Sequence, residues 1–216
     1  METADEFASG FEEPDMVKIQ LEDGGVFWVQ EPILCNLSDY FRTALKGQFK
    51  ESHTKTLRLP GCTTDTFKHL LFWIVNHKLE PPMIDLYDTS AVQVQLVKLW
   101  ALGQEYLLPK LQNMVTDCLW QLFVLSEARP AAISEAFELT SEGSELRQLF
   151  LSQVESDVRE KRGCTEEEMD QIGRVPGFTK AYIDMVTKCL DVDQKRLLMR
   201  RPTYYHVREE EWEFAR

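Results

Sequence analysis

Four histidines, five cysteines and 36 acidic side chains are the groups from which a reaction centre would have to be built. A zinc site needs imidazole or thiolate ligands at short, regular spacing. His53, His69, His77 and His206 do not supply it, because no two stand at i, i+4 and none lies near a cysteine at finger spacing. His77 follows the last apolar residue of a helical stripe, where an imidazole can bond terminal carbonyls, and His69 falls off that stripe, where solvent is expected. Cys35, Cys62, Cys118, Cys164 and Cys189 are odd in number and widely spaced, with no C-x-x-C pair. That pattern reads as reduced thiols rather than a disulfide framework. Cys118 lies on an apolar stripe and reads as a small buried hydrophobe rather than a reactive thiol. Gly24-Gly25 lacks the context of a phosphate-binding loop and no G-x-S-x-G elbow occurs. Thr165 followed by Glu166, Glu167 and Glu168 has the form of a capping box, so those acids serve a helix N-terminus rather than a metal. No catalytic residue, no metal and no cofactor is expected.

The one basic cluster, Lys195, Arg196, Arg200 and Arg201, is flanked by Tyr204-Tyr205 and by Glu209, Glu210 and Glu211. It could serve nuclear import or touch nucleic acid, but pairing with the neighbouring acids or with the acidic N-terminal arm is the preferred reading. Phosphate-backbone affinity comes from clustered cations that release counterions. A chain with net charge -12 and a pI near 4.9 is not built for it, so nucleic acid is not an expected partner. The charge is also uneven: residues 1–15 carry -6, residues 16–125 carry -1 and residues 126–216 carry -5. The first segment reads as a solvated arm, although Phe7 and Phe11 leave open a short docking segment.

These groups must be positioned by a folded body, and 216 residues with 44% hydrophobic content are enough for one elaborated domain or two small ones. Twelve Phe, five Trp and six Tyr provide core material that a disordered chain lacks. No stretch approaches the ~20 apolar residues of a membrane span. The N-terminus has neither a positive region nor an apolar run and does not read as a secretory signal, so cytoplasm or nucleus is the expected location. Residues 17–21 alternate apolar and polar, EDGG turns the chain and VFWV follows, which predicts a β-hairpin. Ile33, Leu34, Leu37, Phe41 and Leu45 recur at helical spacing, with Ser38 a cap or interruption between two short helices. Lys55–Leu59 predicts a third strand closed at Pro60-Gly61. Thr63 or Thr64 caps a helix whose stripe is Phe67, Leu70, Leu71, Ile74 and Val75. A connection follows, with a short strand over residues 84–87, then helices over 92–106 and 111–122. The second carries Leu111, Met114, Val115, Cys118, Leu119 and Leu122 on one face. Beyond Arg129-Pro130 the pattern is helical only, over 131–139, 144–157, 165–172 and 180–190. No repeat and no βαβαβ alternation is present, which disfavours solenoids and doubly wound nucleotide-binding sheets.

The runs VKIQL, VFWVQEPILCNLSDYFRTALKGQFKES, KTLRLPGCTTDTFKHLLFWIVNHKL and LVKLWALGQEYLLPKLQNMVTDCL together resemble a BTB/POZ domain over about residues 16–125. The later AFELTSEGSELRQLFLSQV is similar to the helical tail of many small fungal BTB proteins. The resemblance implies an α+β fold, a small mixed sheet with helical hairpins, followed by an all-helical extension: an acidic tail over 1–15, the BTB/POZ domain over 16–125 and the extension over 126–216. It implies a non-enzymatic protein–protein interaction scaffold that associates with itself as a homodimer or with other proteins. Alternatives are a substrate adaptor for a cullin-based ubiquitin ligase and a nuclear, transcription-associated regulator. The interaction surface is expected among Ile33, Leu34, Leu37, Phe41, Leu45 and Phe49. Cullin-binding members carry a hydrophobic-x-acidic motif, and the positions that match its chemistry or its place are Met83, Asp85 and Leu96. Only fifteen residues, six of them acidic, precede the first strand, so the strand swap of long-form dimers is not implied.

Overall fold

The computed structural model describes residues 15–80, 89–160, 162, 165–190 and 201–209. It forms two compact units, one of Met1–His77, Leu102–Pro109 and Arg208–Arg216, the other of Lys78–Ala101 and Lys110–Val207. This division falls elsewhere than the 125/126 boundary read from the sequence.

The first unit is built on a three-stranded mixed sheet of order β2-β1-β3. Strands β1 (Met16–Leu21) and β2 (Val26–Gln30) form the expected hairpin, with Val17 opposite Val29 and Lys18 opposite Trp28, while β3 (Thr56–Leu59) runs parallel to β1. The turn has two glycines for different reasons. Gly24 has φ +84, a left-handed backbone that glycine adopts without strain, whereas a Cβ on Gly25 would lie 2.2 Å from Thr64 Oγ1. That approach is tight because the Asp23 carboxylate accepts from the backbone N–H of Thr64 at 2.7 Å, from its hydroxyl at 3.0 Å and from the Gly25 N–H at 3.1 Å. The Thr64 N–H, with that of Gly25, holds the Asp23 carboxyl below its ordinary range.

Helices α1 (Glu31–Leu37), α2 (Asp39–Lys46), α3 (Lys50–Thr54) and α4 (Thr64–Asn76) complete this unit together with residues 102–109. Ser38 does separate two helices, its hydroxyl accepting from Phe41 N–H at 3.3 Å. Thr63 caps α4 in the same way. The core gathers Val17, Ile19, Leu34, Phe41, Leu45, Leu57, Leu59, Phe67, Leu70 and Tyr106, with the Phe41 and Tyr106 rings stacked at 5.5 Å. Three local expectations need correction. The buried face of α4 is Thr66, Phe67, Leu70 and Trp73, so Leu71 and Ile74 are half-buried and Val75 is 72% exposed. Trp73 draws the helix round by its larger area, and Val75 lies about 80° from Phe67 at 100° per residue. His69 is half-buried rather than solvated. Lys55 belongs not to the third strand but to the end of α3, with φ 48 and its N–H bonded to Glu51 O.

The second unit is helical: α5 (Thr89–Glu105, whose last turn falls to the first unit), α6 (Pro109–Leu125), α7 (Pro130–Leu139), α8 (Glu145–Glu160), α9 (Glu166–Gly173), α10 (Phe178–Leu190) and a short 3-10 turn (Pro202–Tyr205). Leu96, Val97, Trp100, Val115, Leu119, Phe123, Ile133, Leu149 and Phe150 are buried, with Phe123 and Phe150 edge to face at 5.3 Å. The α6 stripe holds at Leu111, Val115, Leu119 and Leu122, whereas Met114 and Cys118 are only half-buried.

Several buried polar groups inside this unit pair with one another or with backbone. Trp100 Nε1 donates to Thr116 Oγ1 at 3.2 Å, and that hydroxyl donates to Gln112 O at 2.9 Å. The α6–α7 connection, residues 126–129, is pinned from two sides. Fully buried Gln93 donates through Nε2 to Glu127 O at 2.8 Å and accepts at Oε1 from Arg129 N–H at 2.9 Å. Fully buried Asp157 accepts from Ala128 N–H at 3.1 Å and from Gln153 Nε2 at 2.7 Å. Leaving these backbone groups unpaired would cost about 1–3 kcal/mol each. At the far end of the chain, Asn113 clasps Val207, accepting its N–H at 2.7 Å and donating to its carbonyl at 3.1 Å, while Tyr205 is buried. The expected strand at residues 84–87 lies outside the described residues. The whole is an α+β arrangement of a small mixed sheet with helices and a helical extension.

Candidate functional site

No group of three or more His, Cys, Asp and Glu among the described residues could hold a metal ion. Burial pushes the Cys62 thiol up to about 12 and the Cys118 thiol up to about 11, and it raises Cys35 as well. Those three thiols are protonated at neutral pH and are poor nucleophiles. Cys164 and the side chain of Cys189 lie outside the described residues. Thr165 and Glu168 form the expected reciprocal cap, with Glu168 N–H to Thr165 Oγ1 at 3.2 Å and Thr165 N–H to Glu168 Oε2 at 3.0 Å. The acids there are structural. His77 ends α4 through its backbone, which has φ 51 and donates to Trp73 O at 2.8 Å, rather than through its ring.

A protein-binding surface is a matter of which apolar side chains the fold leaves outside. The six α1–α3 positions separate cleanly. Leu34, Phe41 and Leu45 are 1–2% exposed and pack the first unit, so they cannot be contact residues of the folded protein. Their helical spacing, which suggested a shared face, is the spacing of the core stripe itself. Ile33 and Leu37 are half-buried on the adjoining side of α1, and Phe49 is 55% exposed. The Phe49 ring lies over Gly47, where an added Cβ would sit 3.0 Å from ring carbon Cδ2 and 2.4 Å from Thr43 O. The α2–α3 corner is therefore tight, and it presents Phe49 on a rigid base. Leu96 is fully buried and is not a direct contact either, because α5 uses it for the core of the second unit. Met83 and Asp85 lie outside the described residues, as do Lys195, Arg196 and Arg200; Arg201 is exposed.

Sequence reasoning missed the outer face of the sheet. Val26, Trp28 and Met16 are 48%, 60% and 40% exposed and point away from the core together with Lys18, Gln20 and Arg58. The signal was present in the alternation of VFWV, since a strand with Val29 inward must send Trp28 outward. No helix among the described residues is long and apolar enough to cross a membrane.

The family model described as BTB/POZ domain matches residues 12–121. Kelch-like protein 26 of Danio rerio is similar as well, at 30% identity over 99 residues. That stretch is 45% of the present chain and 16% of the length of the Danio rerio protein. The family match covers the sheet, the α1–α3 corner and α4.

Proposed function

The chain belongs to the BTB/POZ domain family, and from that premise we propose that it is a non-enzymatic interaction scaffold of the cytoplasm or nucleus, working by homo- or hetero-association through the α1–α3 corner. The observation that supports this most is Phe49, a large apolar side chain 55% exposed at the tight α2–α3 corner, on the unit that also leaves Ile33 and Leu37 of α1 half-buried. Aromatic side chains of this kind are the usual anchors of protein interfaces. On this reading residues 16–125 carry the association and the helices of 126–216 are an extension of the domain. The experiment is light scattering coupled to size exclusion across roughly 1–200 µM, on the full chain and on Phe49→Asp, together with affinity capture on both. Self-association or partner capture that Phe49→Asp weakens supports the reading. A wild-type monomer whose captured partners are unchanged by the substitution removes it.

Service as a substrate adaptor for a cullin-based ubiquitin ligase is the second reading, and the similarity to a Kelch-like protein over 99 residues favours it. Contact would fall near residues 41–50 and 76–97, with Leu96 acting only through the packing of α5. Failure of the folded full chain to co-purify with any cullin removes this reading and leaves the first untouched.

A further inference from the structure

The outer face of the sheet is an unusual surface to leave bare. Register places Met16, Lys18 and Gln20 of β1 beside Gln30, Trp28 and Val26 of β2, and beside Thr56 and Arg58 of β3, all on the side opposite the buried Val17, Ile19, Leu57 and Leu59. Trp28 stands at the middle of the edge strand β2 at 60% exposure, with Val26 at 48% toward the turn and Met16 of the central strand at 40% toward the other end. At the turn end the face opens into a cleft of about 520 Å³ lined by Gln20, Glu22, Gly25, Val26, Arg58 and Pro60 among others. The charges it presents are Lys18 and Arg58, the latter donating from Nε to Gln20 Oε1 at 3.2 Å, against Glu22 at the turn, where the neighbouring Asp23 is engaged by Thr64 and Gly25.

A segment of complementary chemistry enters the molecule beside it. Residues 1–14 carry five acids and no base, with Phe7 and Phe11 as their large apolar side chains. Asp15 still accepts from Glu31 N–H at 2.8 Å, so the chain leaves the sheet at the Met16 end of this face. We propose that residues 1–14 fold back across the outer face of the chain's own sheet, with Phe11 against Trp28 and Phe7 at the cleft beside Val26 and Arg58.

The reach is sufficient. Trp28 lies two residues along and one strand across from Met16, roughly 9 Å away, and the four residues from Asp15 back to Phe11 span up to about 13 Å. Eight residues separate Phe7 from Asp15, up to about 27 Å, against roughly 14 Å from Met16 to the Gln20–Val26 pair. In an extended segment positions i and i+4 share a face, so both aromatic rings can turn to the sheet together. Glu12 and Glu13 then lie near Lys18, and Asp5 and Glu6 near Arg58. A tether this short gives an effective concentration in the millimolar range, which favours the chain's own segment over that of a second copy.

Hydroxyl-radical footprinting of the full chain tests this, with oxidation of the peptide bearing Trp28 read by mass spectrometry and that bearing the buried Trp100 as a control of fold. Wild type is compared with Phe7→Ala/Phe11→Ala and with Glu12→Lys/Glu13→Lys. The expected result is several-fold faster oxidation of Trp28 in the aromatic double variant, a smaller rise in the charge variant, no change at Trp100, and wild-type protection that persists through about tenfold dilution. Equal Trp28 rates in wild type and the aromatic variant overturn the proposal. Protection that fades on dilution places the segment on another molecule and overturns it too.

Discussion

Asp157 should make the helical unit less stable as pH rises through the weakly acidic range. Its carboxyl is fully buried, and burial, partly offset by the Ala128 N–H, by Gln153 and by Arg162 Nε at 3.7 Å, pushes its pKa up to about 6 from 3.8. A folded-state pKa above the unfolded one means that the folded protein holds the proton more tightly. The resulting contribution to stability is complete below about pH 4 and is lost as pH rises through 6. A rise from 3.8 to about 6 corresponds to about 3 kcal/mol between those limits. Asp157→Asn removes the titration and keeps the hydrogen bonds. One oxygen remains for Ala128 N–H, and the new amide can donate to Gln153 Oε1, which has no partner in the native arrangement, once the Gln153 amide turns over. Urea denaturation of wild type and Asp157→Asn at half-unit steps from pH 4 to 7.5 measures the difference directly, since every other carboxylate is common to both. The curves should lie within about 1 kcal/mol at pH 4 and diverge in favour of the variant by up to about 3 kcal/mol at pH 7. Parallel curves, or a variant less stable at pH 7, refute the reasoning.

Gln93→Ala strands Arg129 N–H and the Glu127 carbonyl inside the second unit, so it should cost about 2–4 kcal/mol in urea unfolding. Gly25→Ala forces the turn away from Thr64 Oγ1 and breaks the bonds to Asp23, with an expected loss of about 1–3 kcal/mol by the same measurement. Leu34→Ala should lose about 2–4 kcal/mol because Leu34 is core, while Phe49→Asp should change stability by less than about 0.5 kcal/mol and act on association alone. Tyr205→Ala empties a buried site at the end of the described chain; thermal unfolding should show a loss of about 3 kcal/mol.

Capping and turn chemistry was legible in the sequence because it is local. Ser38, Thr63, the pair Thr165–Glu168 and the hairpin at Asp23-Gly24-Gly25 act within a few residues, and each stands where its pattern put it. The family was legible for a related reason, since several short patterns in fixed order specify a topology together. Burial within a stripe was less so. Val75 and Leu70 are both apolar and both on α4, and only the neighbours decide that one is 72% exposed and the other 1%. Leu34 and Phe49 posed the same difficulty at the candidate surface, where apolar character marks core and contact alike. Gln93 and Asp157 could not be singled out at all, because a polar residue on a helix shows its burial only through partners some 30 residues away.

The staple on residues 126–129 bears on how this protein can be cut and recombined. The family match ends at residue 121, yet Gln93 before that point and Asp157 well after it hold one stretch of backbone between them. A fragment ending at residue 125 would leave Gln93 without its backbone partners and bare the edge of the Phe123 ring that Phe150 covers. The inherited segment is thus not a free-standing cassette: transplanted into another protein, it has to take α7 and α8 along as part of its own body.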